Sequence, residues 1–72
     1  MAIYAKTVTP SDTAELAQPG QIYVGGGGDI KVITDGGDTT TFVGVVGGTI
    51  LPVLVKKVFA TGTDATNMLV TY

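Results

Sequence analysis

The feature that most limits the fold of this chain is an apolar, β-branched run over residues 48–59, the longest of its kind in the sequence. Valine, isoleucine and phenylalanine suit the pleated, half-buried surface of a strand, and Gly48 and Gly62 flank the run with residues typical of turns. Pro52 has no backbone N–H to donate, which indicates an edge strand or a bulge near the start of the run. The run therefore predicts the central strand of a small all-β domain.

The alternation of side chains along this run changes phase once. Leu51, Val53 and Val55 share one face of a strand, but the apolar residue that follows is Val58, which is out of phase with them. A β-bulge at Lys56–Lys57 would turn both lysines outward and return the apolar side chains to the core. We therefore predict a bulge at these two lysines.

Glycine-rich turns divide the rest of the chain into further short strands. The Asp-Gly-Gly-Asp sequence at 35–38 predicts a tight hairpin, and the four glycines at 25–28 predict a wide, flexible turn. Five or six short strands with such turns indicate an all-β fold, namely a small antiparallel β-sandwich or barrel with an extended N-terminal arm. We assign residues 1–21 to the arm and residues 22–72 to a single small β-domain. Besides the central run, the predicted strands cover residues 21–24, 29–34, 39–43 and 68–72.

The arm has few apolar residues and one local helix signal. Asp12 and Glu15 have the spacing of a capping box, which predicts a single helical turn before Pro19 and Gly20 end it. An arm of this kind either packs on its own domain or reaches onto a neighbouring subunit. We favour the second course, because the composition points to an oligomer.

Composition indicates a subunit rather than an isolated domain. A chain of 72 residues has a small core and a narrow margin of stability, and such domains generally rely on disulfides, metals or partners. The sequence has no cysteine and no histidine, so the disulfide and the commonest metal ligands are missing. Charged residues make up 14% of the chain, against about 25% in typical soluble domains. By elimination, we expect association with copies of itself or with another protein.

Charge and hydropathy limit the kinds of partner. Four lysines, no arginine and a net charge of −2 leave no basic stripe for nucleic acid. The first six residues lack the apolar region of a signal peptide, and no apolar run approaches the roughly 20 residues of a membrane span. We therefore expect a soluble protein made in a cytoplasm, with neither nucleic acid nor a membrane as partner.

No group of residues has the spacing of a catalytic, cofactor or metal site. The glycines at 25–28 precede a strand, whereas a phosphate-binding loop continues into Gly-Lys-Ser/Thr and a helix. Asp29, Asp35 and Asp38 lack the spacing of a calcium loop and suit turns, where their side chains accept local hydrogen bonds. Ser11 has no histidine to activate it, and we expect it to make a local hydrogen bond. We predict no catalytic residue, no cofactor and no bound metal.

Several short strings, in order from about Thr9 to Tyr72, resemble a known family of small phage proteins, the spike base proteins of gene transfer agents, with relatives encoded by many tailed phages. The resemblance implies a small β-domain that sits as an oligomer on the outside of a capsid and supports a head spike at the vertices. The four-glycine loop and the apolar Leu54, where relatives are expected to have a basic residue, depart from this pattern. The strings are Thr9-Pro10-Ser11-Asp12-Thr13, Leu16-Ala17-Gln18-Pro19, Ile22-Tyr23-Val24-Gly25-Gly26, Gly28-Asp29-Ile30-Lys31-Val32, Gly48-Thr49-Ile50-Leu51-Pro52-Val53 and Ala60-Thr61-Gly62-Thr63.

The leading hypothesis is a non-enzymatic phage virion protein on the capsid exterior, made in the cytoplasm of the bacterial host. It would act as a decoration or cement protein, or as the base of a head spike. Its expected partners are the major capsid protein, copies of itself in a trimer or pentamer, and a head fibre or spike protein. The residues expected at the partner or oligomer interface are Ile3, Tyr4, Val8, Pro10, Leu16, Tyr23, Leu54, Lys56, Lys57 and Tyr72.

Two further function classes remain open at this point. A host-surface glycan-binding adsorption module would use Tyr4, Tyr23 and Tyr72 as an aromatic platform, although tyrosines at a sheet edge or subunit interface are commoner. A hydrolase would have to work with a single glutamate and without histidine or cysteine. The lysine pair Lys56–Lys57 is equally well explained as a docking patch for an anionic surface or as a solvated bulge on an edge strand.

Overall fold

Two antiparallel sheets make up the fold, as seen in a computed structural model that describes residues 2–72. Sheet I has the strand order β1-β7-β2-β5, and sheet II has the order β4-β3-β6. The all-β, antiparallel architecture expected from the sequence is confirmed. The strands are β1 Ala5–Thr7, β2 Gln21–Gly26, β3 Gly28–Thr34, β4 Thr39–Val45, β5 Thr49–Ile50, β6 Val55–Val58 and β7 Thr66–Thr71.

The core lies between the two sheets. Alternate residues of β2 and β3 point inward because residues two apart share one face of a strand. Each sheet therefore contributes one row of aliphatic side chains per strand, and the outward residues between them are partly or fully exposed. The buried core consists of Val8, Ile22, Val24, Ile30, Val32, Leu51, Val55, Val58, Ala65, Met68 and Val70.

The central run does not form one continuous strand, which corrects the sequence prediction. Its first part is β5 in sheet I, and its second part is β6 in sheet II. The N–H of Leu51 still donates to the Ile22 carbonyl at 2.9 Å, after which the chain leaves sheet I. Pro52 cannot continue the ladder, and the segment up to Leu54 crosses from one sheet to the other. Leu51 is buried because this crossing passes over the core.

The bulge predicted at the two lysines is confirmed. Ile33 of β3 pairs with Lys57, whereas Thr34 pairs with Val55, so β6 carries one more residue than the strand it faces. The extra residue lets both Val55 and Val58 point into the core. The change of phase in the apolar pattern of the sequence thus corresponds to a β-bulge in the ladder between β3 and β6.

The four glycines do not form a flexible turn, and this prediction is wrong. Gly25 and Gly26 belong to β2, Gly28 begins β3, and the chain passes from sheet I to sheet II at Gly27. A Cβ atom at Gly27 would lie 2.5 Å from the Val45 carbonyl oxygen, and one at Gly25 would lie 2.7 Å from that of Asn67. Glycine is needed here because other backbones come close to this one, not because the chain bends freely.

The hairpin predicted at residues 35–38 is present between β3 and β4. The N–H of Thr34 donates to the Asp38 carbonyl at 2.8 Å, and Gly37 has a φ of 96°. A positive φ of this size is the left-handed conformation that glycine adopts at little cost. Turn chemistry therefore placed this connection correctly.

The N-terminal segment lies against its own domain, so the extended arm is not confirmed. β1 pairs with β7, and further along the N–H groups of Ser11 and Leu16 donate to the Val58 and Lys56 carbonyls at 2.9 and 2.7 Å. Gly20 then forms a bridge with Val55. Residues 11–20 therefore cover the outer edge of β6. Of the two alternatives for this segment, the structure shows the first, in which it packs on its own domain.

The helical turn predicted at Asp12–Glu15 is wrong, since residues 2–72 contain no helix and hence none that could cross a membrane. The Asp12 carboxylate bonds to Thr61 across the molecule instead of capping its own segment. The Ser11 hydroxyl oxygen accepts hydrogen bonds from the N–H groups of Thr13 and Ala14, at 3.3 and 3.1 Å. The local hydrogen bond expected of Ser11 is therefore confirmed, and it shapes a turn.

Candidate interaction surfaces

The candidate sites of this protein lie on its surface. Within residues 2–72 no cavity is found, and no three acidic side chains cluster as metal ligands would. The described chain instead exposes six large hydrophobic side chains by more than half, which is the feature that draws attention on a domain this small. They are Ile3, Tyr4, Val43, Val46, Ile50 and Leu54.

Five of these six side chains lie at two opposite sides of the molecule. On the first side, β1 forms one edge of sheet I. From β1 the chain continues to residues 11–20, which cover the edge of β6 in sheet II. On the second side, β5 forms the other edge of sheet I and β4 forms the other edge of sheet II. A turn of three residues, 46–48, joins these two strands. We call the β1 edge with Ile3 and Tyr4 side one. Side two is the β4 and β5 edges with Val43, Val46 and Ile50.

An uncharged row crosses the outer face of sheet I. Cross-strand pairing places Thr7 beside Leu69, Leu69 beside Tyr23, and Tyr23 beside Ile50. Residues paired across antiparallel strands point to the same face, so these four side chains form a continuous band. The neighbouring row is also uncharged and consists of Ala5, Thr71 and Gln21.

Sheet II carries lysines on its outer face. The Lys31 and Lys57 ammonium nitrogens lie 5.0 and 4.7 Å from the centroid of the Phe59 ring, one from β3 and one from β6. Both distances suit a cation–π contact, which holds each ammonium over the negative face of the ring. Lys57 also donates to the backbone carbonyl of Asp12 at 2.7 Å. We call this group, Lys31, Lys57 and Phe59, the lysine face.

Asp12 links the N-terminal segment to the loop before β7. One carboxylate oxygen accepts from the Thr61 N–H at 2.9 Å, and the other accepts from the Thr61 hydroxyl at 2.6 Å. These hydrogen bonds, with a smaller contribution from the Lys57 charge, lower the pKa of the Asp12 carboxyl below its usual value of 3.8. Asp12 therefore has a structural role, linking two segments of the chain, and is not a candidate catalytic acid.

The ten residues predicted at an interface do not form one surface. The structure brings two of them together: the Tyr4 and Tyr72 rings lie 5.3 Å apart, at the end of sheet I. Val8 is 5% exposed and belongs to the core, so its side chain has little surface to offer a partner. Ile3, Tyr4 and Leu54 are more than half exposed, and the partly buried members of the set are Pro10, Leu16, Tyr23, Lys56, Lys57 and Tyr72.

The three tyrosines do not form a single platform. Tyr23 pairs with Leu69 and points to the outer face of sheet I. Tyr4 and Tyr72 point to the opposite face of sheet I, the face on which Val70 is buried, and their rings pack against each other at the end of the sheet. Tyr23 is thus separated from the other two by the sheet itself.

Sequence reasoning missed several surface residues. Val43 follows the inward-pointing Phe42, so strict alternation along β4 is a signal that could have assigned it to the surface. Val46 and Ile50 carry no such signal, because they flank a turn whose direction depends on the sheets. Lys31 and Phe59 are far apart in the sequence and meet only through the pairing of β3 with β6.

No family model matches this chain, and no curated protein matches it. A solved structure does match: one chain of the structure described as "Capsid of native GTA particle computed with C5 symmetry" is 36% identical. The alignment has a TM-score of 0.88 and covers 100% of this chain and 84% of that chain. The fold and this similarity together define a small two-sheet structural protein of a virion. The chain belongs to the family of that gene transfer agent capsid protein.

Proposed function

We propose that this chain is a non-enzymatic protein of the capsid exterior, which decorates or cements the shell or forms the base of a head spike. The observation that carries the proposal is the similarity, over the full length of this chain, to a chain of a gene transfer agent capsid. The chemistry of the surface supports it, since the described residues offer exposed apolar side chains and the uncharged edges of β4 and β5 rather than an enclosed site.

Within this proposal, the chain forms a symmetric oligomer around a fivefold vertex. The resemblance to spike base proteins favours the vertex, and hence a pentamer, over a trimer on threefold positions. Each single contact of such a small subunit is weak. Bound neighbours raise the effective concentration for the next contact, so a ring on a symmetric shell binds far more firmly than one copy.

The major capsid protein is the proposed partner, and the lysine face is the proposed contact with it. Its two ammonium groups are held in place by Phe59, so little side-chain freedom is lost on docking. An acidic patch on the shell would complement them, and such contacts act mainly on the rate and specificity of association. In this arrangement residues 1–21 pack along the domain, and residues 22–72 carry the contact with the shell. A fibre or spike protein would sit on the exposed side of the ring.

The test is binding to capsid shells assembled without this protein. Purified protein is titrated onto such shells, and the bound fraction is measured by co-sedimentation in low and high salt. We expect saturable, salt-sensitive binding at five copies per vertex, weakened by charge reversal in Lys31→Glu with Lys57→Glu. The control is Gln18→Glu, which also makes the protein more negative but at an exposed residue outside the lysine face and outside β1, β4 and β5, and it should bind normally.

Two outcomes would contradict the proposal. The first is no binding to shells at concentrations where the protein is folded. The second is binding to host-cell glycans that is lost in Tyr23→Ala, which would favour the adsorption module. Saturation at three copies per threefold position would retain a capsid role and replace the vertex with a cement site.

A further inference from the structure

The two sides defined by the exposed apolar residues are alike in chemistry and include the two opposite edges of sheet I, β1 and β5. Side one presents the free edge of β1 with Ile3, 79% exposed, and Tyr4, 53% exposed. Side two presents the free edge of β4 with Val43 and Val46, 77% and 72% exposed. Each side thus combines unpaired backbone groups with apolar surface, which is what a further strand would cover.

In the part of the chain that the structure describes, the free edge of β4 has no charge, proline or covering segment, and its one irregularity is a bulge between Phe42 and Val45. Sheet edges of soluble proteins are commonly blunted by lysine, proline or a covering segment. β4 has the sequence TTTFVGV, without a charge or a proline, and its backbone bonds within the described chain all go to the β3 side, including the Gly44 N–H to the Asp29 carboxylate. By contrast, residues 11–20 cover the edge of β6. The chain protects one edge of sheet II and leaves the other open.

We propose that side one of one copy docks on side two of the next copy, head to tail, so that the oligomer closes into a ring through these two surfaces. This inference rests on the proposed function and assigns its interface. Because the two surfaces include opposite edges of sheet I, the same contact repeats from copy to copy and closes if the rotation allows. Pairing β4 with β4 would instead give a twofold dimer, which leaves side one uncovered.

The sizes are compatible with this assignment. The accessible surface of the described chain is 4124 Å², and a standard interface covers about 800 Å² on each partner, roughly a fifth of it. The proposed contact uses three sheet edges, those of β1, β4 and β5, and five exposed apolar side chains per junction. Lys6, the one charge of β1, lies 5.9 Å from the Tyr4 ring centroid, which keeps its ammonium group over the ring.

The test uses two blocked variants and a control. The side-one variant is Ile3→Lys with Tyr4→Lys, and the side-two variant is Val43→Lys with Val46→Lys. The control is Leu54→Lys, because Leu54 is 54% exposed and belongs to neither side. All five positions are more than half exposed, so folding is retained and is checked by circular dichroism. Native mass is measured at low micromolar concentration for each protein alone. The mixture of the two blocked variants is measured at high micromolar concentration, because a single junction lacks the avidity of a closed ring.

We expect a closed ring for the wild type and for Leu54→Lys, and a monomer for each blocked variant, with the dissociation constant raised at least about tenfold. The mixture should give a dimer of one copy of each variant, since it retains one intact junction and cannot continue. A monomeric wild type, a self-dimer of the side-one variant, a monomeric mixture or an equal loss in Leu54→Lys would each overturn the inference. A monomer that still binds capsid shells would remove this interface while leaving the proposed function in place.

Discussion

The Asp12 carboxylate accepts two hydrogen bonds from Thr61, a residue 49 positions further along the chain, with distances of 2.9 Å to the nitrogen and 2.6 Å to the hydroxyl oxygen. This pair fastens the N-terminal segment over the edge of β6. Ser11 and Leu16, on either side of Asp12, donate backbone hydrogen bonds to that strand. The segment is thereby part of the domain and not a free arm.

We predict that Asp12→Asn lowers the stability of the domain. The amide keeps one acceptor oxygen but loses the charge and one of the two acceptors that Thr61 uses. The measurement is the midpoint of urea unfolding near neutral pH, which should fall below that of the wild type. Glu15→Gln removes one negative charge from the same segment, at an exposed residue with no side-chain hydrogen bond in the described chain, and should leave the midpoint nearly unchanged. An equal loss in both variants would point to net charge as the cause.

The contribution of Asp12 should depend on pH in one direction. Its carboxyl has a pKa lowered from 3.8 in the folded chain, so the stabilisation is fully present above the unfolded value and is lost as pH falls through the lower folded value. The difference in unfolding free energy between the wild type and Asp12→Asn should therefore be constant above about pH 5 and shrink below pH 3.8. Urea unfolding at a series of pH values measures it. A difference that grows on acidification would contradict the assignment.

The crossing between the sheets should reject any side chain at Gly27. A Cβ there would lie 2.5 Å from the Val45 carbonyl oxygen and 3.0 Å from the Gly47 nitrogen, and backbone atoms cannot move aside as a flexible side chain can. We expect Gly27→Ala to cost about 1–3 kcal/mol in the free energy of unfolding, measured by chemical denaturation. The control is Gly36→Ala in the hairpin, where the nearest atom is 3.9 Å away. That change should be neutral or stabilising by up to about 1 kcal/mol, and equal effects at the two positions would contradict this account.

The core should be sensitive to the loss of a single methyl group. Ile30 is fully buried, so Ile30→Val should reduce the unfolding free energy by about 0.5–1.5 kcal/mol through lost burial and a small cavity. Leu54 is 54% exposed and lies outside sides one and two, so Leu54→Val should change it by less than about 0.5 kcal/mol. Both values come from denaturation of the isolated chain. A comparable loss at both positions would contradict this location of the core.

Local signals in the sequence predicted part of the fold well. The alternation of Ile30 and Val32, the hairpin at 35–38 and the bulge at Lys56–Lys57 were all correct. Each depends on side-chain parity or turn chemistry within a few residues. The run at 48–59 failed as a single strand because a switch between sheets leaves no local mark beyond Pro52.

The candidate surfaces were less predictable than the strands. Ile3, Tyr4 and Leu54 were expected on the surface and are exposed, whereas Val8 is in the core. Its place there depends on a hydrogen bond of its N–H to the Met68 carbonyl, at 3.0 Å, which holds the segment against β7. Nothing near Val8 in the sequence indicates a contact 60 residues away.

By itself, the sequence determined the class of this protein: an all-β chain of short strands, without cysteine or histidine, whose few charges indicate a subunit of an assembly. These properties follow from composition and from periodicity over a few residues. Only the tertiary structure decided which edges are covered and which are open. The segment before β2 covers β6, the glycines at 25–28 let two sheets approach, and β4 is left free. The physical reason is that hydrogen-bond partners in a sheet are set by contacts distant in the chain, and local residue chemistry does not record them.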